Sequence, residues 1–213
     1  MKKSIFVLTA SVFTLVTIAS SQAQTKNDST SKAKTTTHTD SINQDTTKAT
    51  AQLKVVGGAQ MLPTNDIVEN TSQSKDHTTL VSAIQSAGLA DTLKAAGPFT
   101  VFAPTNDAFA KLPAGTLDTL KQPANKEKLA DVVAYHVVSG KLSSRDLALA
   151  VARANGNATL TTVEGENLTV SINEEKNLQI TDAKGNIALV TMFDVEQENG
   201  IVHVINNVLL PKE

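Results

Sequence analysis

The spacing of apolar residues changes along this chain, from a helical repeat in its first two thirds to strict alternation after Ala158. Leu80, Ile84, Leu89 and Leu93 recur at helical spacing, which predicts one amphipathic helix that begins at Thr78 or Thr79 and ends before Gly97-Pro98. The pattern predicts further helices at 116–121, after Asn125 and after Ser143, where Ser143 and Asp146 have the form of a capping box. Thr64 or Asn65 is the predicted cap of a short helical turn near the start of this region.

The alternating part predicts half-buried strands separated by short polar turns. Its segments are Leu160–Val163, Leu168–Ile172, Leu178–Ile180, Ile187–Val190 and Ile201–Leu209. Consecutive strands with short turns form an antiparallel meander. One more β-favouring run, Phe99–Ala103, lies among the predicted helices. If this run pairs with the last strand, the helices and the meander form a single α+β unit.

Two segments each combine a β-favouring run with a proline that ends the strand. In Gly97–Phe109, Pro98 and Pro104 bracket the β-favouring run and mark its ends, because proline has no N–H to donate to a ladder. Thr105 or Asn106 then caps a helix that carries Phe109 inward. The second segment, Asn199–Pro211, is a turn followed by a long apolar strand that ends at proline.

These two segments, with Val133-Ala134-Tyr135-His136-Val137-Val138 between them, resemble the two sequence boxes and the central tyrosine-histidine pair of the fasciclin domain family. The resemblance runs from about Thr64 to Pro211. It implies a fasciclin-like α+β fold, with antiparallel β-sheets that form a wedge or sandwich covered by several α-helices. It also implies a non-enzymatic adhesion module whose partner is a cell-surface or matrix protein or a polysaccharide.

The resemblance carries recognition roles to four residues. Tyr135 and His136 match the pair that has been linked in the family to receptors such as integrins, and Asp194-Val195 partly matches an aspartate-isoleucine pair. The residues themselves favour another interpretation, because a polar pair between apolar neighbours must find buried hydrogen-bond partners. Asp194-Val195 also fits the end of a strand, where packing of the side chains is the alternative to a recognition role. Both interpretations stay open, and His203, between two valines, is predicted to make a structural hydrogen bond.

Three regions follow one another along the chain. Residues 1–24 have a basic start, an apolar run and small residues before the cut, which predicts a secretory signal peptide. Twelve of the 26 residues from Thr25 to Thr50 are Ser or Thr, so 25–58 is predicted to be a disordered linker. Residues 59–213 are the predicted fasciclin domain. We therefore expect a secreted or periplasmic protein without an integral membrane segment after signal cleavage.

The amino-acid composition argues against several classes of function. The chain has no cysteine, which excludes disulfides and thiolate chemistry, and aromatic residues make up 3% of it, so stacking platforms for bases or sugars are scarce. Loss of Lys2 and Lys3 leaves 17 basic against 21 acidic residues, a net charge of −4, without the basic stripe of a nucleic-acid binder.

The four histidines have no metal-ligand spacing, and no nucleophile motif or phosphate loop is present. We expect no enzyme activity, no cofactor and no metal. The alternative function is a small-ligand-binding periplasmic protein with a cleft between the helices and the sheet.

Overall fold

The computed structural model describes residues 53–95 and 97–212. The predicted signal peptide, and the predicted linker up to residue 52, lie outside the described residues. Within them, all the helices lie before residue 154 and the meander of strands follows, as the apolar spacing predicts. The seven α-helices of the described part are α1 (Ile67–Gln73), α2 (Thr78–Ala87), α3 (Ala90–Lys94), α4 (Asn106–Ala110), α5 (Thr116–Leu120), α6 (Lys126–Tyr135) and α7 (Ser144–Arg153).

Local signals explain where these helices begin and end. The single helix predicted over 78–96 is instead two helices, because Gly88 takes a left-handed conformation with φ 75° and ends α2. The cap of α1 is Asp66 rather than Thr64 or Asn65, since its side chain accepts a bond from the Glu69 N–H. The predicted capping box of Ser143 and Asp146 is present at α7.

Nine strands complete the described part. They are β1 (Val55–Val56), β2 (Ala59–Gln60), β3 (Phe99–Pro104), β4 (Val137–Ser139), β5 (Asn157–Thr161), β6 (Asn167–Ile172), β7 (Leu178–Thr181), β8 (Ile187–Gln197) and β9 (Gly200–Ile205). Seven of them form one sheet in the order β4-β3-β9-β8-β7-β6-β5, and the predicted antiparallel meander is its β5-to-β9 part. Strand β8 is longer than predicted, and β9 ends at Ile205 rather than at Leu209.

The two box segments lie side by side. Strand β3 pairs with β9 in parallel over six residues, from Phe99 opposite Gly200 to Pro104 opposite Ile205. The backbones approach closely at one end, where a Cβ on Gly200 would lie 2.1 Å from the Phe99 carbonyl oxygen. This pairing joins the helical half of the chain to the meander, which confirms the predicted α+β unit.

Two apolar clusters lie on opposite faces of the β3–β9 pair. Val101, Ala103, Val202 and Val204 face α1, α2, α4 and α6 in the first cluster. Phe102 and Ile205 face the inner side of the meander in the second cluster, which α7 covers with Leu147 and Val151. The sheet curls into a nearly closed wedge, because Val138 in β4 forms a bridge with Thr162 after β5.

A short hairpin of β1 and β2 extends the folded body toward the N-terminus. Val56 is 6% exposed and belongs to the first apolar cluster, and the Gly57 carbonyl accepts a hydrogen bond from the Lys75 N–H at 3.2 Å. Residues 53–58, which the composition assigned to the linker, are therefore ordered in the structure. The difference arises because Gly57-Gly58 is the turn of this hairpin rather than a joint between linker and domain.

Candidate functional site

Tyr135 is fully buried at the end of α6 and bonds two other parts of the chain. Its hydroxyl donates to the Asn167 carbonyl at 3.0 Å and accepts from the Ala183 N–H at 2.9 Å. Burial raises the pKa of Tyr135 to about 12, because the phenolate would lose its hydration. The side chain thus ties α6 to β6 and to the turn between β7 and β8.

His136 is the C-cap of α6 and is 3% exposed. Its Nδ1–H donates to the Val132 carbonyl at 2.7 Å, and its Nε2 accepts from the Leu209 N–H at 3.0 Å. Burial lowers the pKa of His136 to about 4. Both ring nitrogens are therefore used inside the protein by a neutral imidazole that fixes the segment after β9.

Asp194 lies where β8 bulges, with φ 53°, and its carboxylate reaches the start of α7. One oxygen accepts from the Ser144 N–H at 2.6 Å, and the other accepts from the Ser144 hydroxyl. A carboxylate at this place satisfies a free N–H of the first helical turn and complements the helix dipole. The neighbouring Val195 is 1% exposed and packs in the first apolar cluster.

The four residues with predicted recognition roles therefore do not form one surface patch. Tyr135, His136 and Val195 are buried, and Asp194 is half-buried with its carboxylate bonded to α7. Their recognition roles stay predictions. The structural interpretation of the tyrosine-histidine pair agrees with the hydrogen bonds that both side chains make.

His203, Asp194 and Ser144 lie near one another, but they are not arranged as a catalytic triad. The Nε2–H of His203 donates to the Leu142 carbonyl at 2.9 Å, and its Nδ1 accepts from the Asp194 N–H at 3.3 Å. The ring stacks on Phe102 with centroids 5.8 Å apart. Because the Ser144 hydroxyl donates to Asp194 and no bond joins it to His203, this trio lacks the serine–histidine contact of a hydrolase.

Two polar anchors were not identified from the sequence. Asn199 accepts from the Ile67 N–H at 3.1 Å and donates to the Leu93 carbonyl at 2.7 Å, which ties α1 and α3 to the β8–β9 turn. Asp182 accepts from the N–H groups of Asn186 and Leu210. Each lies in a polar turn, and the turn composition is the only signal that marked these positions.

An open cleft lies between α5, α6 and the segment after β9. Its volume is about 390 Å³, with Leu120, Val132 and Leu210 in its walls and Lys128 and Asp131 at its rim. No group of three or more metal-ligating side chains occurs among residues 53–95 and 97–212. No helix in the same residues combines the length and hydrophobicity that membrane crossing requires.

Comparisons with known proteins agree on one family. A family profile described as "Fasciclin domain" matches residues 75–211. Protein sll1483 of Synechocystis sp. is 40% identical over 164 residues, which cover 77% of this chain and 83% of that protein. Transforming growth factor-beta-induced protein ig-h3 of Sus scrofa is 41% identical over 132 residues, 62% of this chain and 17% of that protein.

Among solved structures, a FAS1 domain pair from the insect cell adhesion molecule Fasciclin I matches with a TM-score of 0.61 and 20% identity. The match covers 68% of this chain and 51% of the domain pair, so the chain spans about half of that pair. The similarity in fold thus agrees with the similarity in sequence.

Proposed function

Because the chain belongs to the fasciclin domain family, we propose that it is a secreted, non-enzymatic adhesion module that makes contacts at a cell surface or in an extracellular matrix. The observation that carries this proposal is the parallel pairing of β3 with β9, which unites the two family boxes in one sheet. A related domain pair comes from an insect cell adhesion molecule, which agrees with this role. Localisation in the periplasm or outside the cell follows from the predicted signal peptide.

The buried pair supports this function indirectly. Tyr135 and His136 hold the helix–strand junction, so the residues that contact a partner lie on the outer surface. We place the half-buried loop around Asp194 and the exposed helix faces in that surface. Contacts of this kind are individually weak, and clustering of many copies supplies the strength of attachment.

Particle adhesion tests the proposal. Beads coated with the mature protein at increasing density should attach to cells of the source organism, with a steep rise above a threshold density because attachment depends on many weak contacts. Beads coated with the heat-unfolded protein are the control. Absence of attachment at every density, or equal attachment by the unfolded protein, would contradict the function.

The alternative, a small-ligand-binding periplasmic protein, has one supporting observation. The cleft beside α5 and α6 has a volume of about 390 Å³, within the range of ligand sites. Its rim mixes Lys128, Lys184 and Lys212 with Asp131 and Glu164, so it presents no single charge to a ligand. We therefore keep the adhesion module as the proposed function.

A further inference from the structure

The outer side of β5 to β8 is a polar sheet face. Residues there alternate with the buried ones that face the second apolar cluster, and the strand register sets them in rows across the sheet. We call these ten positions the threonine face. They are Asn157, Thr159, Thr161, Asn167, Thr169, Ser171, Gln179, Thr181, Ile187 and Leu189.

One row of the threonine face crosses all four strands, with Thr159 opposite Thr169, Thr169 opposite Thr181 and Thr181 opposite Ile187. Thr159 is exposed, Thr169 and Thr181 are half-buried, and Ile187 is 47% exposed. The helix that packs against β5 and β6 is α7, and it lies on the other side of the sheet, where Leu147 and Val151 join the second apolar cluster. The row from Thr159 to Ile187 therefore faces solvent, whereas Ser171 in the neighbouring row is buried at 8% exposure.

None of its ten positions carries a charge, although 19% of the chain is Asp, Glu, Lys or Arg. The charged residues of this region lie at the strand ends instead, in the turns with Glu164, Glu174 and Lys184. Exposed sheet surfaces commonly carry charges that prevent unwanted association. A charge-free face favours an uncharged partner, because an ionic partner would lose hydration there without gaining a counter-charge.

The chemistry of the face matches a partner rich in hydroxyl groups. Threonine and serine hydroxyls and asparagine and glutamine amides both donate and accept hydrogen bonds, as sugar hydroxyls do. Threonine methyls and Ile187 offer small apolar contacts beside them. The face has no aromatic ring, so binding by ring stacking is excluded on it, and hydrogen bonds must carry the contact.

Size favours a thin partner over a second protein. Three strand spacings of about 4.8 Å and five residues of about 3.3 Å give a face of roughly 14 by 16 Å. That area, on the order of 230 Å², is well below the roughly 800 Å² that each partner buries in a stable protein interface. A single extended polymer strand, in contrast, is narrow enough to contact the face from one end of the face to the other.

We propose that the threonine face binds a strand of an uncharged polysaccharide. The inference rests on the proposed adhesion function; it adds the threonine face to the contact surface and names the class of the partner. Each contact is weak and insensitive to salt, because no ion pair contributes.

Native gel electrophoresis of the mature protein in gels that contain hydroxyethyl cellulose or dextran tests this inference. The neutral polymers should slow its migration at low and high salt, whereas alginate, an anionic polymer, should not. Thr169→Glu should weaken the retardation about tenfold, the effect of losing a pair of hydrogen bonds. Thr64→Glu is the matched control, since it adds the same charge at an exposed position in the turn before α1.

Thr159→Glu, at an exposed position on β5, repeats the test should Thr169→Glu lower the stability. Unchanged migration in both neutral gels overturns the inference, as does equal loss of retardation in the Thr64→Glu variant. Sedimentation equilibrium that shows a dimer which Thr169→Glu dissociates would also overturn it, since the face would then bind a second copy. Bead attachment without polysaccharide retardation would leave the adhesion function standing and remove only this partner.

Discussion

At the scale of single residues, buried neutral histidines are a recurrent feature of the described part of the chain. His77, His136 and His203 are at most 3% exposed, and burial lowers the pKa of each. The hydrogen bond from Leu209 to the Nε2 of His136 requires an unprotonated nitrogen. Folding therefore depends on these rings remaining neutral.

The pH dependence of stability follows from the lowered pKa of His136. An unfolded histidine has a pKa near 6.5, and the folded value is about 4, so the neutral form that folding favours is present above pH 6.5. Stability should be complete above that pH and fall by about 3 kcal/mol as the pH drops through 4. Urea unfolding between pH 4 and pH 8 measures this loss.

His136→Gln isolates the contribution of this ring. The variant should be less stable at pH 7, because the Leu209 N–H loses its acceptor, and its stability should fall less between pH 7 and pH 4 than that of the wild type. Other titrating groups act equally in both proteins, so the difference belongs to His136. Parallel pH curves for the two proteins would show that the ring is not held neutral by folding.

The sequence identifies which polar residues need partners but not where those partners lie. Tyr135 and His136 attract attention because they interrupt a run of valine and alanine. Their partners Asn167, Ala183 and Leu209 are 32, 48 and 73 residues away and offer backbone groups, which every residue has. Distant backbone partners leave no trace in composition or spacing.

At the scale of elements, proline and alternation predict the strands well where pairing is regular. Strand β3 ends at Pro104, beside the predicted end, and β6 and β7 begin at or next to the predicted residues. The predicted end of β8 at Val190 is wrong, because register shifts between Val190 and Val195 break the alternation. The pattern likewise shows no break at Gly88, since the apolar repeat continues across both helices.

The β3–β9 pair depends on two glycines at one end. A Cβ on Gly97 would lie 2.1 Å from the Asn199 carbonyl oxygen, and one on Gly200 equally close to that of Phe99. Gly97→Ala and Gly200→Ala should each lower the free energy of unfolding by about 1–3 kcal/mol or more, because backbone must move to make room. Thermal unfolding followed by circular dichroism measures the loss.

Gly115→Ala is the control for this prediction. Gly115 has φ 81°, and a methyl group added to it would have no neighbour within 4 Å, so alanine there meets only the cost of the left-handed conformation, about 1–2 kcal/mol. Wild-type stability in Gly200→Ala would mean that β3 and β9 are not in close contact at this end.

At the scale of the whole molecule, the folded body begins earlier than composition indicates. Val56 and Met61 are 6% and 5% exposed in the first apolar cluster, and a Cβ on Gly57 would touch the Ser74 hydroxyl. The β1–β2 hairpin thus packs over the N-terminal end of α2 and the buried His77. Each strand of this hairpin has only two residues, which is too few for an alternating pattern to be recognised in the sequence.

Removal of the hairpin tests this boundary. A chain that begins at residue 62 should unfold at lower denaturant concentration than one that begins at residue 51, since burial of Val56 and Met61 is lost at about 1.5–3 kcal/mol for each side chain. Limited proteolysis of the mature protein should leave a resistant fragment that starts near Leu53. First cleavage within 78–94, or equal stability of the two chains, would contradict the boundary.

The parallel union of β3 with β9 also constrains the order of events during biosynthesis. Strand β9 is the last strand along the sequence, yet it occupies the middle of the sheet, between β3 and β8. A nascent polypeptide lacks this strand until residues 200–205 have left the ribosome, and contacts between such remote segments form slowly. The two halves of the sheet accordingly join only when β9 inserts between β3 and β8, about 100 residues after β3 along the chain.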